Sequence, residues 1–323
     1  MRPAPVLVLI AVLAVPACGS SPQSKTPTPA PVPAASTSAS APSTERITTK
    51  VDAPVGLAVA ANGLWAVSTS TNAIVRVDPS TGAILETVTV GPTPLRAAAY
   101  GHLVWVSIFG AGEVVAVDAR SGRVVQRVPV GAGAEGVSID AHGLVWVVSQ
   151  DAHRLTGLDQ SGKIRTRVVL PHGQPRAVLA DDAGVFVSDY MNGTVSRVEH
   201  GRLTTRHICD GAQEMRGAGS RIFVACTAGN QVIELDTRLH VLGHVSVPGE
   251  PDGLALLDDR LWIACATGPA LVALTISPLR IDRTVHLADG PALDDRANVD
   301  VAYAGGRLWL SSYRDDGLYA VAP

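Results

Sequence analysis

Gly63-Leu64-Trp65-Ala66-Val67-Ser68, followed by Val75-Arg76-Val77-Asp78 and Thr81-Gly82, is the stretch on which the reading of this chain turns. Its first part comes back six times, over residues 103–107, 144–149, 184–188, 222–226, 261–265 and 308–312, each time as one bulky aromatic among aliphatic and small neighbours. The aromatics are Trp65, Trp105, Trp146, Phe186, Phe223, Trp262 and Trp309, so all five tryptophans of the protein stand at this one position. Successive aromatics are 40, 41, 40, 37, 39 and 47 residues apart. A self-similar unit of this length, with β-branched residues alternating with small ones and no helical period, is the signature of a propeller blade. Seven units predict an all-β fold, a seven-bladed β-propeller spanning residues 45–323.

Working outward from the aromatic, each unit divides into four strands. In the second unit these are 95–100, 104–108, 113–118 and 124–130, with the first strand innermost. The turns carry the expected chemistry: Asp78, Asp118 and Asp159 each open a turn that ends in glycine, where the carboxylate accepts a backbone N–H and glycine tolerates a positive φ. They sit singly on separate blades, which favours turn formation over metal binding. Asn192-Gly193 predicts a two-residue hairpin turn. The last unit runs out at Val321 and lacks an outer strand, whereas Ile47-Thr48-Thr49-Lys50-Val51 begins the domain as an outer strand without a blade. Together they predict a ring closed by the N-terminal strand, which leaves no open sheet edge at the seam.

The segments 64–68, 75–82 and 88–94 resemble the YVTN-type repeats of seven-bladed propellers: an aromatic-Val-small strand, a Val-x-Val-Asp-x-x-Thr-Gly segment, and an outer strand ending in Val-Gly-x-x-Pro. The likeness covers nearly all of residues 47–321. It implies the fold and leaves the function open, because propellers of this type include ligand binders, interaction platforms and enzymes. A more distant resemblance is to virginiamycin B lyase-like propellers, and it implies a Glu-x-His pair, a further histidine and a magnesium ion. No glutamate here is followed two residues later by histidine. The histidines, among them His102, His142, His153, His172 and His207, fall mostly in turns and outer strands.

Aligning the units on the aromatic places Val55, Leu95, Glu135, Arg176, Gln213, Asp252 and Val299 at one level of the channel, and Gly56, Arg96, Gly136, Ala177, Glu214, Gly253 and Asp300 at the next. Arg96, Glu135, Arg176, Glu214, Asp252 and Asp300 are therefore the candidate ligand-binding residues at the channel mouth, where the loops leading into the inner strands converge. Gln150, Asp151, Asp189, Tyr190, Tyr313 and Arg314 add to the same rim. The arginines suit an anionic group and the carboxylates suit orientation or a cation. The competing reading is a polar strand-end rim with no ligand. An enzymatic alternative is a metal-dependent lyase or lactonase, with calcium held by Glu135, Glu214, Asp252, Asn298 and Asp300 as oxygen donors. No cofactor is specified, there is no Ser-His-Asp pattern or phosphate-cradling glycine loop, and a binding or interaction module is favoured over an enzyme.

The N-terminus assigns the compartment. Residues 1–17 hold one basic residue, Arg2, and an apolar run from Val6 to Val15, too short to span a bilayer as a helix and typical of a cleaved signal peptide. Cys18 after Ala17 resembles the lipobox of bacterial lipoproteins, which implies lipidation of Cys18 and anchoring to the outer face of the bacterial cytoplasmic membrane. Residues 19–44 contain six prolines among Ser, Thr and Ala with Lys25 as the one charge, a composition that cannot bury a core. As a flexible spacer it would hold the domain roughly 25–30 Å from its anchor. Loss of Arg2 takes the formal charge from −3 to about −4, which offers no basic footprint for nucleic acid. The expected partners are thus the membrane, through Cys18, and an unspecified small ligand or protein, with the chain a monomer.

Cys209, Cys226 and Cys265 remain after Cys18, an odd number that allows at most one intramolecular pair. Cys209 ends the fourth outer strand and Cys226 the second strand of the fifth blade, one on each side of the inner strand beginning near Gln213. Oxidation is permitted outside the cytoplasm. The expected disulfide is Cys209 with Cys226, and Cys226 with Cys265, at equivalent points of adjacent blades, is the alternative.

Overall fold

Alternating apolar residues make each repeat a sheet that must be covered on both faces, and stacking seven such sheets radially covers them all. The computed structural model describes residues 47–267, 271–286 and 299–323. The signal, Cys18, the spacer and Asn298 lie outside these residues. Seven four-stranded antiparallel sheets are present among the described residues. Six follow simple chain order: the first blade runs Pro54–Ala60, Gly63–Ser68, Ala73–Val77 and Ile84–Thr89 from the axis outward. The seventh combines both ends of the domain, with Val301–Ala304, Arg307–Ser312 and Gly317–Val321 completed by Ile47–Lys50. Ile47 pairs with Ala320 and Lys50 with Gly317, so the N-terminal strand closes the ring.

The core is divided into seven clusters, and each spans two neighbouring blades. Trp65 of the first blade packs with Val104, Val106, Val115 and Val117 of the second. Trp105 reaches Val145 and Val147 of the third, Trp262 reaches Val301 and Leu310 of the seventh, and Trp309 returns to Leu57, Leu64 and Val75 of the first. Trp146, Phe186 and Phe223 fill the remaining three interfaces in the same way. One aromatic per repeat is needed because each interface needs one large side chain to fill the gap between twisted sheets.

The turns behave as the sequence suggests, with one exception. Asp78, Asp118 and Asp159 each accept backbone N–H groups two or three residues ahead; the Ser80 and Ser161 hydroxyls, and at Asp118 the Ser121 N–H, do most to lower their pKa values. Asp236 does the same for Arg238 and His240. Asn192-Gly193 does not form a two-residue hairpin. Asp189 is still paired with Thr194, so four residues make the connection, widened because Asp189 Oδ1 accepts the N–H of Asn192 at 2.8 Å.

Cys209 and Cys226 are bonded, with Cα atoms 5.9 Å apart and 17 residues between them in sequence, and Cys265 is a buried free thiol. Burial pushes the Cys265 thiol up to about 12, so it behaves as a small apolar side chain. Closing a loop of this size restricts the unfolded chain by about 3 kcal/mol. Cys209→Ala and Cys226→Ala are each expected to lose that amount in denaturant unfolding, and the double variant no more than either single one.

Candidate ligand site in the central channel

Every inner strand of the first six blades starts with an irregularity at the same place. The pairing with the second strand slips between Pro54 and Leu57, Pro94 and Ala97, Ala134 and Val137, Pro175 and Val178, Ala212 and Met215, and Pro251 and Leu254. Two inner residues stand against one on the partner strand, which is a β-bulge, and a bulge re-aims the side chains it carries. The two bulged residues of each blade are the two channel levels read from the alignment. All six candidate residues except Asp300 sit on bulges, and Asp300 directly precedes the seventh inner strand.

Three serines link the channel levels of neighbouring blades. Ser107 Oγ accepts the N–H of Arg96 at 3.0 Å and donates to the carbonyl of Glu135 in the next blade. Ser188 links Ala177 to Gln213, and Ser311 links Asp300 to Val55, by the same pattern. Glycine at the second level serves a matching purpose. A Cβ on Gly56 would lie 2.8 Å from Cα of Arg96, and one on Gly253 would lie 2.6 Å from Cα of Asp300, so these glycines let the next blade's charged residue approach the axis.

The structure brings the six predicted residues together and then distinguishes them. Glu135 and Asp252 are 2% and 3% exposed. Glu135 accepts from Arg176 Nη1 at 2.6 Å, and the Arg176 guanidinium lies 5.6 Å from the ring of Tyr190. Asp252 Oδ2 accepts the N–H of Val299 at 2.9 Å. Asp300 uses both oxygens on backbone, Oδ2 on Leu57 of the first blade and Oδ1 on Val301. These four stitch blade to blade. Arg96 and Glu214 retain more capacity: Glu214 accepts one N–H, from Met215, and Arg96 faces Asp252, Asp300, Glu214 and Glu135 without a guanidinium hydrogen bond among the described residues.

Electrostatics follow from this ring. Burial alone would lower the pKa of Arg96, but the four carboxylates, Asp252 first, hold it above its ordinary value. Burial raises Glu135, Asp252 and Asp300. Glu214 is pushed up to about 7 by burial, with Arg96 opposing and Asp300 reinforcing the shift. The carboxyl of Glu214 therefore carries a proton part of the time at neutral pH. Its ordinary value is 4.5, so between there and about 7 the unfolded chain loses the proton while the folded chain keeps it. Stability contributed by the protonated form is complete below the lower value and is lost as pH rises through the upper one. Glu214→Gln should remove that part of the decline in melting temperature between pH 4.5 and 7, and should be at least as stable as the parent at pH 8; an unchanged pH profile would contradict the assignment.

A cavity of about 600 Å³ occupies the channel, and its position corrects the expected site. Arg96, Glu214 and Asp300 line it, whereas Glu135, Arg176 and Asp252 do not. From that charged level its wall runs along Ala97–Ala99, Val137 and Ile139 to Val59, Leu256 and Tyr303 at the far ends of the inner strands. The cavity thus lies beyond the bulges, away from the mouth where the loops lead in, because the bulges turn half of the charged side chains aside. Arg216, which the alignment did not single out, also lines it and donates through Nε and Nη2 to the carbonyl of Leu254.

The donor set does not suit the magnesium centre that the lyase resemblance implies. No histidine lines the cavity, and no group of three or more His, Cys, Asp or Glu is placed to hold a metal ion among the described residues. Of the rim residues, Asp189 is committed to its own turn and Tyr190 faces the Arg176 guanidinium; His153 and His172, outside the cavity lining, stack edge to face at 4.6 Å.

No protein-family model matches the chain, and no curated protein matches it. Solved structures do. The chain is similar to virginiamycin B lyase from Staphylococcus aureus, with 17% sequence identity, a TM-score of 0.73, and coverage of 87% of this chain and 99% of that one. A streptogramin B lyase structure aligns with 15% identity and a TM-score of 0.69 over 85% of this chain and 97% of that one. Kuenenia stuttgartiensis hydrazine synthase aligns with 14% identity and a TM-score of 0.71, covering 86% of this chain and 97% of that one. At these identities the likeness establishes the seven-bladed propeller fold alone.

Proposed function

We propose that the chain is an exported lipoprotein, tethered through Cys18 to the outer face of the bacterial cytoplasmic membrane, whose propeller binds a small ligand or a protein partner through its central channel. The observation that carries the reading is the pair Arg96 and Glu214. Both line a channel cavity of about 600 Å³, a size usual for small-molecule sites. Neither is fully used by the fold, unlike Asp300, which spends both oxygens on backbone. The histidines that the lyase resemblance implies have no counterpart in this lining. Binding without chemistry is the reading retained.

Ligand-observed NMR against a library of small polar and amphipathic compounds tests it, comparing the parent protein with the Arg96→Gln/Glu214→Gln double variant at matched fold content. Several hits on the parent that vanish in the double variant are expected. Hits shared equally by both proteins, or none, would overturn the channel site. For the tether, Cys18→Ser is expected to move the protein from the membrane fraction to the soluble one.

A further inference from the structure

The charges around the cavity do not balance. In the lining, Glu214 and Asp300 stand against Arg96 and Arg216; behind it, Glu135 pairs with Arg176 and Asp252 is left over, so one carboxylate is in excess when Glu214 is ionised. Asp181, at the far end of the fourth inner strand and within the field of Arg216, adds to the excess. Two of the buried carboxylates also keep an oxygen with no hydrogen-bond partner, Oε2 of Glu135 and Oδ1 of Asp252, on side chains 2% and 3% exposed. Buried carboxylate oxygens without partners are costly; neither residue lines the cavity, so a positive charge there would act on them through space and not as a hydrogen-bond donor. Beyond the ring, Ser138 and Arg216 stand among the apolar side chains of Ala97–Ala99, Val137, Ile139 and Leu256, and the cavity ends at Val59 and Tyr303, 46% and 40% exposed.

We infer that the channel cavity takes a singly charged organic cation with an apolar body, entering from the end marked by Val59 and Tyr303 and placing its ammonium group beside Glu214 and Asp300. This deepens the reading of the channel as a ligand site and rests on it. The ammonium supplies the missing positive charge and the body covers the alanine wall, with the Tyr303 ring near the opening as an aromatic face for the cation in transit. An anionic ligand would gain Arg96 but would meet all four carboxylates already gathered around that one guanidinium. The groups facing Glu214 are Arg96 from the second blade, Asp300 from the seventh and Arg216 on its own strand. Asp252 from the sixth blade and Arg176 and Asp181 from the fourth complete the surroundings. Ionised Glu214 is the form that binds a cation, so ligand and proton compete for it.

Isothermal titration of the full chain with phenethylammonium and with 3-phenylpropionate, which share a body and differ in charge, tests the inference. Phenethylammonium should bind, with an affinity roughly tenfold higher at pH 8 than at pH 6, the change expected where a group titrating near 7 must lose its proton. At pH 6 it should release close to one proton, read from buffers of different ionisation enthalpy. Glu214→Gln should weaken binding and abolish the pH dependence. Val59→Arg, at the exposed rim, should weaken it by repelling the cation, whereas Asp52→Arg, exposed where the chain enters the first inner strand, should leave it unchanged. If 3-phenylpropionate binds as well or better and Arg96→Gln removes it, the cavity stands as a ligand site and the cation assignment falls. If phenethylammonium binds independently of pH, or is hindered by Asp52→Arg and not by Val59→Arg, the placement is wrong. If neither probe binds while other compounds do, the cation class is refuted and the site retained; if nothing binds at all, both readings fall.

Discussion

Trp105→Ala is expected to destabilise the protein by about 3–5 kcal/mol, the range for removing a fully buried large aromatic from a packed core. Trp105 has no exposed surface, and its ring fills the interface between the second and third blades. The indole N–H also donates to Gln160 Oε1 at 3.0 Å, so truncation strands that oxygen as well as opening a cavity. Gln160 in turn donates to the carbonyl of Gly143 and its own carbonyl accepts from Gln126, which spreads the disturbance over the third blade's outer turns. Denaturant unfolding of Trp105→Ala beside Trp105→Phe separates the two contributions. A loss under 1 kcal/mol in the alanine variant would mean that the aromatic position is not what holds neighbouring blades together.

Removing the closing strand should have an effect of similar size from only a few residues. A truncation that begins the chain at residue 45 retains Ile47–Lys50, whereas one that begins at residue 52 strips the whole pairing from Gly317–Val321. Val51, 2% exposed, leaves the cluster it shares with Trp309, and Thr49 loses its hydrogen bond to the carbonyl of Gly82 in the first blade. Burial of one valine contributes about 1.5–3 kcal/mol and each net hydrogen bond about 1 kcal/mol, so the longer truncation should cost on the order of 4 kcal/mol or more. It also bares a strand edge of Gly-Leu-Tyr-Ala-Val, a template for pairing with another chain. Thermal melts and light scattering on the two truncations decide the matter, and equal stability would show that the ring does not depend on its seam.

The architecture was readable because one large side chain per repeat is a strong periodic signal, and because the seventh repeat was short by the one strand that residues 47–51 could supply. The two levels of the channel were readable for the same reason, since alignment on the aromatic fixes each inner strand's register. What the alignment could not show is which of the two levels faces the cavity. Arg96, Glu214 and Asp300, all of the second level, line it, while Glu135, Arg176 and Asp252, all of the first, do not, because the two residues of a bulge leave the strand in different directions. The serines at 107, 188 and 311 were visible as the small residue closing the motif, yet their role needs two blades at once: one hydroxyl accepts from its own blade and donates to the next. Arg216 lay within reach of the reading, one turn of the pleat beyond Glu214 on the same strand. The width of the turn after Asp189 depended on a side-chain hydrogen bond that the Asn-Gly pair does not announce.

Because the apolar interior is split into seven parcels, each shared by two adjacent blades, no blade is nearer the centre of the core than any other, and the place where the polypeptide starts is a free choice of the ring. Ile47 lies opposite Ala320 in an antiparallel pair, one residue from the last strand residue Val321, so a short hairpin turn would join the two ends without disturbing either. New termini could then be opened in any loop between an outer strand and the next inner one, such as the stretch between Val169 and Pro175. Such a circular permutant would keep all seven interfaces and all seven aromatics in place. It would differ in one respect: its chain would begin and end between the third and fourth blades, and the seventh blade would no longer be the one built from both ends.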